Sequence, residues 1–370
     1  MAVCQQHAFT SSESSVSVKL GAICPSKKKF YGVRLQQNGQ TFSKAFTKVI
    51  STRMAVVEER PILIPETFER SAPKILAYEF VQGPLVRWSE RDRSICKPPT
   101  AVLLHGILGS RRNWSTFSKR LAQAFPSWQF LLIDLRCHGE SSFIDMQGPN
   151  SVASAARDVL RLVGDLKLTP RVLIGHSFGG KVALSMVDQA AKPLARPVQL
   201  WILDATPGTV RAGGNGEDHP AELIAALNEM PNEVPSRRYV INTLTRKGFS
   251  AAVAQWMTTN LKPVEGAYPA FTWSLNLQGI SEMYQSYEAT DLWHVVEDIT
   301  QGVHCNFLRA ERSLHRWAHE DVKRIHMAEA LATTEGAGVE MHVLEDAGHW
   351  VHADNPDGLF KILTKSFLGF

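Results

Sequence analysis

Cysteine is scarce and scattered: the 370 residues hold five, Cys4, Cys24, Cys96, Cys137 and Cys305, with no paired spacing. That excludes a disulfide-stapled fold and a cysteine-type metal site, and leaves reduced thiols as the default. Long apolar runs are also missing, since no stretch of eighteen consecutive apolar residues occurs, so no segment reads as a membrane-spanning helix. No internal repeat is visible, which argues against a solenoid or propeller. Acidic residues are nearly absent from the first 55 positions, where Glu13 stands against Lys19, Lys27, Lys28, Lys29, Arg34, Lys44, Lys48 and Arg53. Those positions carry +7 of a net charge of +4, so the rest of the chain is at −3. A slightly acidic body has no electrostatic reason to bind nucleic acid.

The basic leader is rich in hydroxyls (Ser11, Ser12, Ser14, Ser15, Ser17, Thr41, Ser43, Thr47). Poor in acids and lacking the apolar core of a secretory signal, it reads as an organelle transit peptide over residues 1–55 rather than part of the fold. Its Met1-Ala2 start and Ser-rich stretch point to the chloroplast, with the mitochondrion as the alternative. A disordered solvated tail is the bland reading of the same composition.

With 44% hydrophobic and 21% charged residues, the remainder can bury a sizeable core. Ile75–Val81 followed by Gly83-Pro84 suggests an antiparallel hairpin between about Ile62 and Trp88. Then short apolar runs alternate with amphipathic stretches. Val102–His105, Phe130–Asp134, Val172–Gly175 and Leu200–Asp204 read as strands. Trp114–Phe125, Val152–Leu166 and Phe178–Gln189 read as helices. Such alternation predicts an α/β fold with a mostly parallel sheet covered on both faces. It stops over residues 206–300, where Ala221–Met230, Ser236–Lys247, Ala251–Leu261 and Leu275–Tyr287 predict an all-helical cap. Trp256, Tyr268, Phe271, Trp273 and Tyr284 there either line an apolar site or pack the cap on the body. Alternation resumes with strands at His304–Leu308 and Val339–Leu344 and a closing helix at Leu359–Phe367. The core is thus expected over residues 56–205 and 301–370.

Gly175-His176-Ser177-Phe178-Gly179 follows a β-branched run and opens a helix. That is the setting of a nucleophile elbow, in which serine sits on a turn so tight that its neighbours must be small. Serine at its ordinary pKa is a poor nucleophile and needs a base oriented by an acid. His349, in Asp346-Ala347-Gly348-His349-Trp350, follows the last predicted strand, where this fold places its base. Two acids are open, Asp204 at the end of one strand and Glu311 just after the next, and chain order does not choose between them. As bland alternatives, Asp204 is a turn residue before Thr206-Pro207, and Glu311 is a surface partner of Arg309 or Arg312. His105-Gly106-Ile107-Leu108-Gly109 ends the first parallel strand, and the expected oxyanion donors are the N–H groups of Ile107 and Phe178. His315 and His319 stand four apart on a predicted helix but lack the accompanying glutamate of a zinc helix, so no metal is expected. His349 and Asp354 have the spacing of an acyltransferase motif, more simply read as the base followed by a helix start at Asp354-Asn355-Pro356.

Four segments together resemble the family of alpha/beta-hydrolase domain-containing protein 11 and the bacterial YbfF-type esterases. They are His105–Ser110, Asp134–Ser141, Gly175–Lys181 and Ala347–His352, within a match running from about Pro98 to Phe367. The resemblance implies the α/β-hydrolase fold with its cap before the last two strands, and assigns the acid to Asp204. It also matches Ser313 to an extra active-site serine of the YbfF-type enzymes. The chain departs from the family at Cys137, where asparagine is usual, and at Ala310-Glu311-Arg312 in place of a glycine-rich turn. The expected activity is hydrolysis of a small-molecule acyl ester or thioester through an acyl-enzyme on Ser177, without a cofactor. An acyltransferase, a menaquinone-pathway-type lyase and a non-catalytic receptor are the rivals that share such a triad. Oligomeric state is not legible.

Overall fold

The computed structural model describes residues 75–86, 97–190, 198–210, 219–266, 270–313, 317–331 and 337–368. The leader expected over residues 1–55 lies outside them, as does the first half of the expected hairpin.

Runs too short for helices and apolar on both sides make the sheet. The first half of the chain forms β1 (Tyr78–Gln82), β2 (Thr100–Leu104), α1 (Ser115–Ala124), β3 (Gln129–Ile133), α2 (Val152–Asp165), β4 (Pro170–His176), α3 (Phe178–Gln189) and β5 (Val198–Leu203). Next come α4 (Pro220–Asn228), β6 (Glu233–Val234), α5 (Arg237–Arg246), α6 (Ala251–Met257), β7 (Leu261–Pro263), β8 (Phe271–Trp273), α7 (Leu277–Ala289) and α8 (Trp293–Glu297). The chain closes with β9 (Val303–Ala310), α9 (His319–Leu331), β10 (Gly338–Leu344), α10 (Val351–Asp354) and α11 (Pro356–Leu363).

The main sheet has seven strands in the order β1-β3-β2-β4-β5-β9-β10. All its pairings are parallel except β1 with β3. Among the described residues, β1 pairs with a strand some fifty residues on, Tyr78 opposite Ile133. Period-two side chains split the core into two layers. Ala101, Leu103, Phe130 and Leu132 join α1 and α11 on one face. Val102, Leu104, Leu131 and Ile133 join α2 and α3 on the other, in a layer continuous with the cap.

From β2 the chain steps outward to β3, then back across to β4 and on to β5. The crevice between β2 and β4 is thus a topological switch point, the place where open parallel sheets receive ligands. Ser177 follows β4 there, and Ile107 follows β2.

The segment between β5 and β9 is not all-helical as expected. It also holds a three-stranded sheet, β6-β8-β7, whose strands of two or three residues are too short to show a period. Its helices start on side chains that accept backbone N–H groups, Ser236 from Tyr239, Ser250 from Val253 and Asn276 from Gly279. Lys181 of α3 fixes both ends of this segment. Its buried ammonium donates to the carbonyls of Gly208 (2.6 Å), Tyr287 (2.7 Å) and Thr290 (2.9 Å). A buried charge is tolerable only with such partners.

Candidate active site

Ser177 stands between β4 and α3 at φ 52° and ψ −116°. A non-glycine residue held in that region stores about 1–3 kcal/mol, tolerated where the surroundings over-determine it. Here the surroundings are glycines. A Cβ on Gly175 would lie 2.1 Å from the Gly179 carbonyl oxygen, and one on Gly179 would lie 2.7 Å from the carbonyl oxygens of Leu104 and His105. Gly106 faces the serine so closely that its own Cβ would be 3.4 Å from Ser177 Cβ. Thus the turn after β2 lies against the serine.

His349 Nδ1–H donates to Asp204 Oδ2 at 2.7 Å. That bond fixes the tautomer, leaving the lone pair on Nε2. The loop carrying His349 is pinned next to the serine, because His176 Nε2–H donates to the His349 carbonyl at 2.7 Å. The helix start expected at Asp354-Asn355-Pro356 is that of α11, and Asp354 also accepts the Gly348 N–H at 2.9 Å. The cap of α11 is Asn355, whose side chain accepts from Gly358, with Pro356 following.

Asp204, at φ 51°, receives three further donors: Ser313 Oγ at 2.5 Å on Oδ2, and Trp317 Nε1 at 2.8 Å and Ala310 N–H at 3.1 Å on Oδ1. Burial alone raises a carboxyl pKa. His349, by hydrogen bond and charge, then Ser313 and Trp317, outweigh that desolvation and leave Asp204 below its ordinary value. The other candidate acid, Glu311, is exposed. It accepts the Asp346 N–H at 2.9 Å and pairs with neither Arg309 nor Arg312.

The turn from Gly106 to Gly109 closes through Gly109 N–H to the Gly106 carbonyl at 3.1 Å, with Leu108 left-handed at φ 61°. Two buried histidines lock it to the loop after β3 in reciprocal fashion. His138 Nε2 accepts the Leu108 N–H at 3.0 Å, while His105 Nε2 accepts the Leu135 N–H at 3.0 Å. Each ring donates its Nδ1–H to a carbonyl, His138 to Arg136 and His105 to Gly106, both at 2.8 Å. Both must therefore be neutral. Burial lowers His105 to about 4, and burial with the neighbouring His105 lowers His138 to about 3. No acceptor among the described residues takes the N–H of Ile107 or of Phe178.

Sequence reasoning did not single out His105, His138, Trp317 or Asn260, whose side-chain amide reaches the Leu108 carbonyl at 3.0 Å. A signal existed for the histidines, since the dipeptide His-Gly follows β2 directly at 105–106 and recurs in the loop after β3 at 138–139. Trp317 and Asn260 carry none. Of the cap aromatics, Trp273 and Tyr284 are buried packing residues, and Tyr268 lies outside the described residues. Trp256 meets Trp350, edge to face at 4.2 Å. His315 also lies outside the described residues, and among those described no group of three or more His, Cys, Asp or Glu is arranged to hold a metal.

A serine on a strained strand-to-helix turn at the switch point of a parallel sheet, with a histidine–carboxylate pair beside it, is the arrangement of the α/β-hydrolase fold. The chain belongs to the alpha/beta hydrolase family, whose model matches residues 101–362. It is similar to the sn-1-specific diacylglycerol lipase ABHD11 of Danio rerio, 30% identical over 71% of this chain and 77% of that protein. The Mus musculus protein of the same name is 27% identical over 73% of this chain and 81% of its own length. Among solved structures, a marine microorganism esterase superposes with a TM-score of 0.61 at 24% identity, covering 80% of this chain and 99% of that one. The likeness to this esterase extends to the fold. The chain is an ester-hydrolysing, ABHD11-like enzyme.

Proposed function

We propose that this enzyme cleaves a carboxylic ester or thioester through an acyl-enzyme on Ser177, with His349 as base and Asp204 as its orienting acid. The observation that carries the reading is the 2.7 Å contact between His349 Nδ1 and Asp204 Oδ2, on a loop tied to the residue before the serine. His349 Nε2 takes the Ser177 proton as Oγ attacks the acyl carbonyl, and Asp204 steadies the imidazolium. The tetrahedral oxyanion lies between the N–H groups of Ile107 and Phe178. Phe178 opens α3, so the helix dipole adds to its donor. Each such donor lowers the barrier by about 2.7–4 kcal/mol. His349 then protonates the leaving alcohol or thiol, and water repeats the cycle to free the acid.

Relatives named as diacylglycerol lipases favour a neutral glycerolipid ester as the substrate class. The apolar rings of Trp256 and Trp350, edge to face beside the base, agree with an apolar acyl group. The test is a fluorophosphonate probe on the full chain, with peptide mass spectrometry. Ser177 should carry the adduct, Ser177→Ala should not, and that variant should lose ester hydrolysis by on the order of 10⁶-fold. A folded, active protein unlabelled at Ser177 would remove the nucleophile. A lyase would turn over its substrate without the acyl-Ser177 that rapid quenching should trap here.

A further inference from the structure

An oxyanion donor works only if its N–H is aimed before the substrate arrives, so what holds the Gly106–Gly109 turn matters as much as the donor itself. Other backbone groups of that turn are engaged. The Gly106 carbonyl accepts from Gly109 N–H and from His105 Nδ1–H. Leu108 N–H goes to His138. The Leu108 carbonyl accepts from Asn260 Nδ2 at 3.0 Å, a buried bond. With these groups engaged, the Ile107 N–H is left to the site. Leu108 needs both clamps because it occupies a left-handed conformation at φ 61°, which turns normally give to glycine or asparagine.

The two clamps come from different parts of the molecule. His138 belongs to the core loop after β3. Asn260 belongs to the segment between β5 and β9, in the 3-10 turn Thr258–Asn260 that follows α6. That turn is itself held. The Asn260 carbonyl accepts from Ser274 N–H and Oγ, both at 2.8 Å. Arg237 donates to the carbonyls of Thr258 and Leu261 on either side. Asn260 is 4% exposed, and among the described residues no other side chain donates to the Leu108 carbonyl. The same short stretch carries Trp256 against Trp350, next to His349. One cap segment thus grips the loops on both sides of Ser177.

We propose that Asn260 is a positioning residue for the oxyanion donor: by holding the Leu108 carbonyl it keeps the Ile107 N–H aimed at the reacting oxygen, so the oxyanion hole is complete only when the cap is docked. The inference rests on the reading of Ser177 and Ile107 given above. It makes the cap part of the catalytic apparatus, acting through Leu108 without touching the substrate.

The test compares an activated acyl ester with its thionoester on the full-length protein, since sulfur is a weak acceptor and draws little from an oxyanion hole. Asn260→Leu removes the donor at similar size, and Asn260→Asp replaces it with an acceptor. Both should lower kcat for the oxygen ester by about 10- to 100-fold, short of the 100- to 1,000-fold cost of deleting a donor outright. KM should stay within about threefold, because the lost interaction belongs to the transition state. The thionoester rate should change little. Should the Leu variant fail to fold, Asn260→Ser, polar but too short to reach Leu108, carries the same expectation. Unchanged kcat, or equal losses on both esters, overturns the proposal. Wild-type enzyme that handles the two esters alike, or Ser177→Ala that stays active, would instead remove the underlying reading, whatever the Asn260 variants do.

Discussion

Asp204 and Glu311 follow neighbouring strands of one sheet and both precede His349 in the chain, yet they live in different chemistry. Asp204 is 1% exposed and collects four donors, from His349, Ser313, Trp317 and the Ala310 backbone. Glu311 stands in solvent and accepts one backbone N–H, from Asp346. The contrast extends to the whole site. Its floor is made of buried polar groups with named partners: Asp204, His105 and His138. Its rim is made of exposed ones such as Glu311, Arg312 and Asp354. Water competes for a rim group and replaces it when it is lost. For a floor group nothing substitutes, and the full desolvation cost of its orphaned partner appears.

The sharpest test of that contrast is Asp204→Asn. The amide keeps the shape and most of the packing, so the protein should fold. It no longer fixes the Nδ1–H tautomer of His349, and kcat should fall on the order of 10⁴-fold, as when the carboxylate of such a triad is made neutral. Steady-state kinetics with a thermal melt on the same sample checks both halves. A variant with near wild-type kcat would dissolve the distinction between floor and rim.

How much of this was legible in the sequence follows the same division. Ser177 and His349 announce themselves because their chemistry demands particular neighbours: glycines at 175 and 179 whose Cβ positions are filled by backbone, and a loop after the last strand. The parallel sheet was equally readable, since strands buried on both faces leave continuous apolar runs such as Phe130–Ile133. The choice between Asp204 and Glu311 was not readable from position, because both end strands and only burial separates them; family resemblance supplied it. Asn260 is less visible still. Its role arises from a bond across 152 residues, and its neighbours Thr259 and Leu261 give no pattern. Nor do the short strands β6, β7 and β8, whose two or three residues each are too few to show a period.

The histidines of the floor give a second test, in stability. Burial depresses His105 to about 4 and His138 to about 3, and His352, packed against His176 with a buried Nδ1 that has no partner among the described residues, to about 4. In the unfolded chain each returns to the ordinary value near 6.5. Between those limits the unfolded state holds protons that the native state does not, so stability must fall as pH falls. It is fully present above pH 6.5 and is lost progressively toward pH 4, by roughly 1.4 kcal/mol per pH unit for each ring. Urea midpoints should therefore be flat above pH 7 and drop steeply between pH 6 and 4.5. A flat profile through that range would mean that these rings are charged or solvated in the native state.

The smallest effect is expected at the rim. Glu311→Gln keeps an oxygen for the Asp346 N–H, and the charge it removes is exposed, where such changes stay within about 0.5 kcal/mol. Activity should remain within about twofold of wild type across neutral pH. Asp346 sits left-handed at φ 52°, three residues before His349, so Glu311→Ala probes the same turn harder by leaving that N–H to water. It too should cost little, because the base is held from elsewhere, by His176 on its carbonyl and Asp204 on its ring. A loss of about 100-fold or more in Glu311→Gln, with Asp204→Asn active, would exchange the two carboxylates and make the rim the seat of the acid.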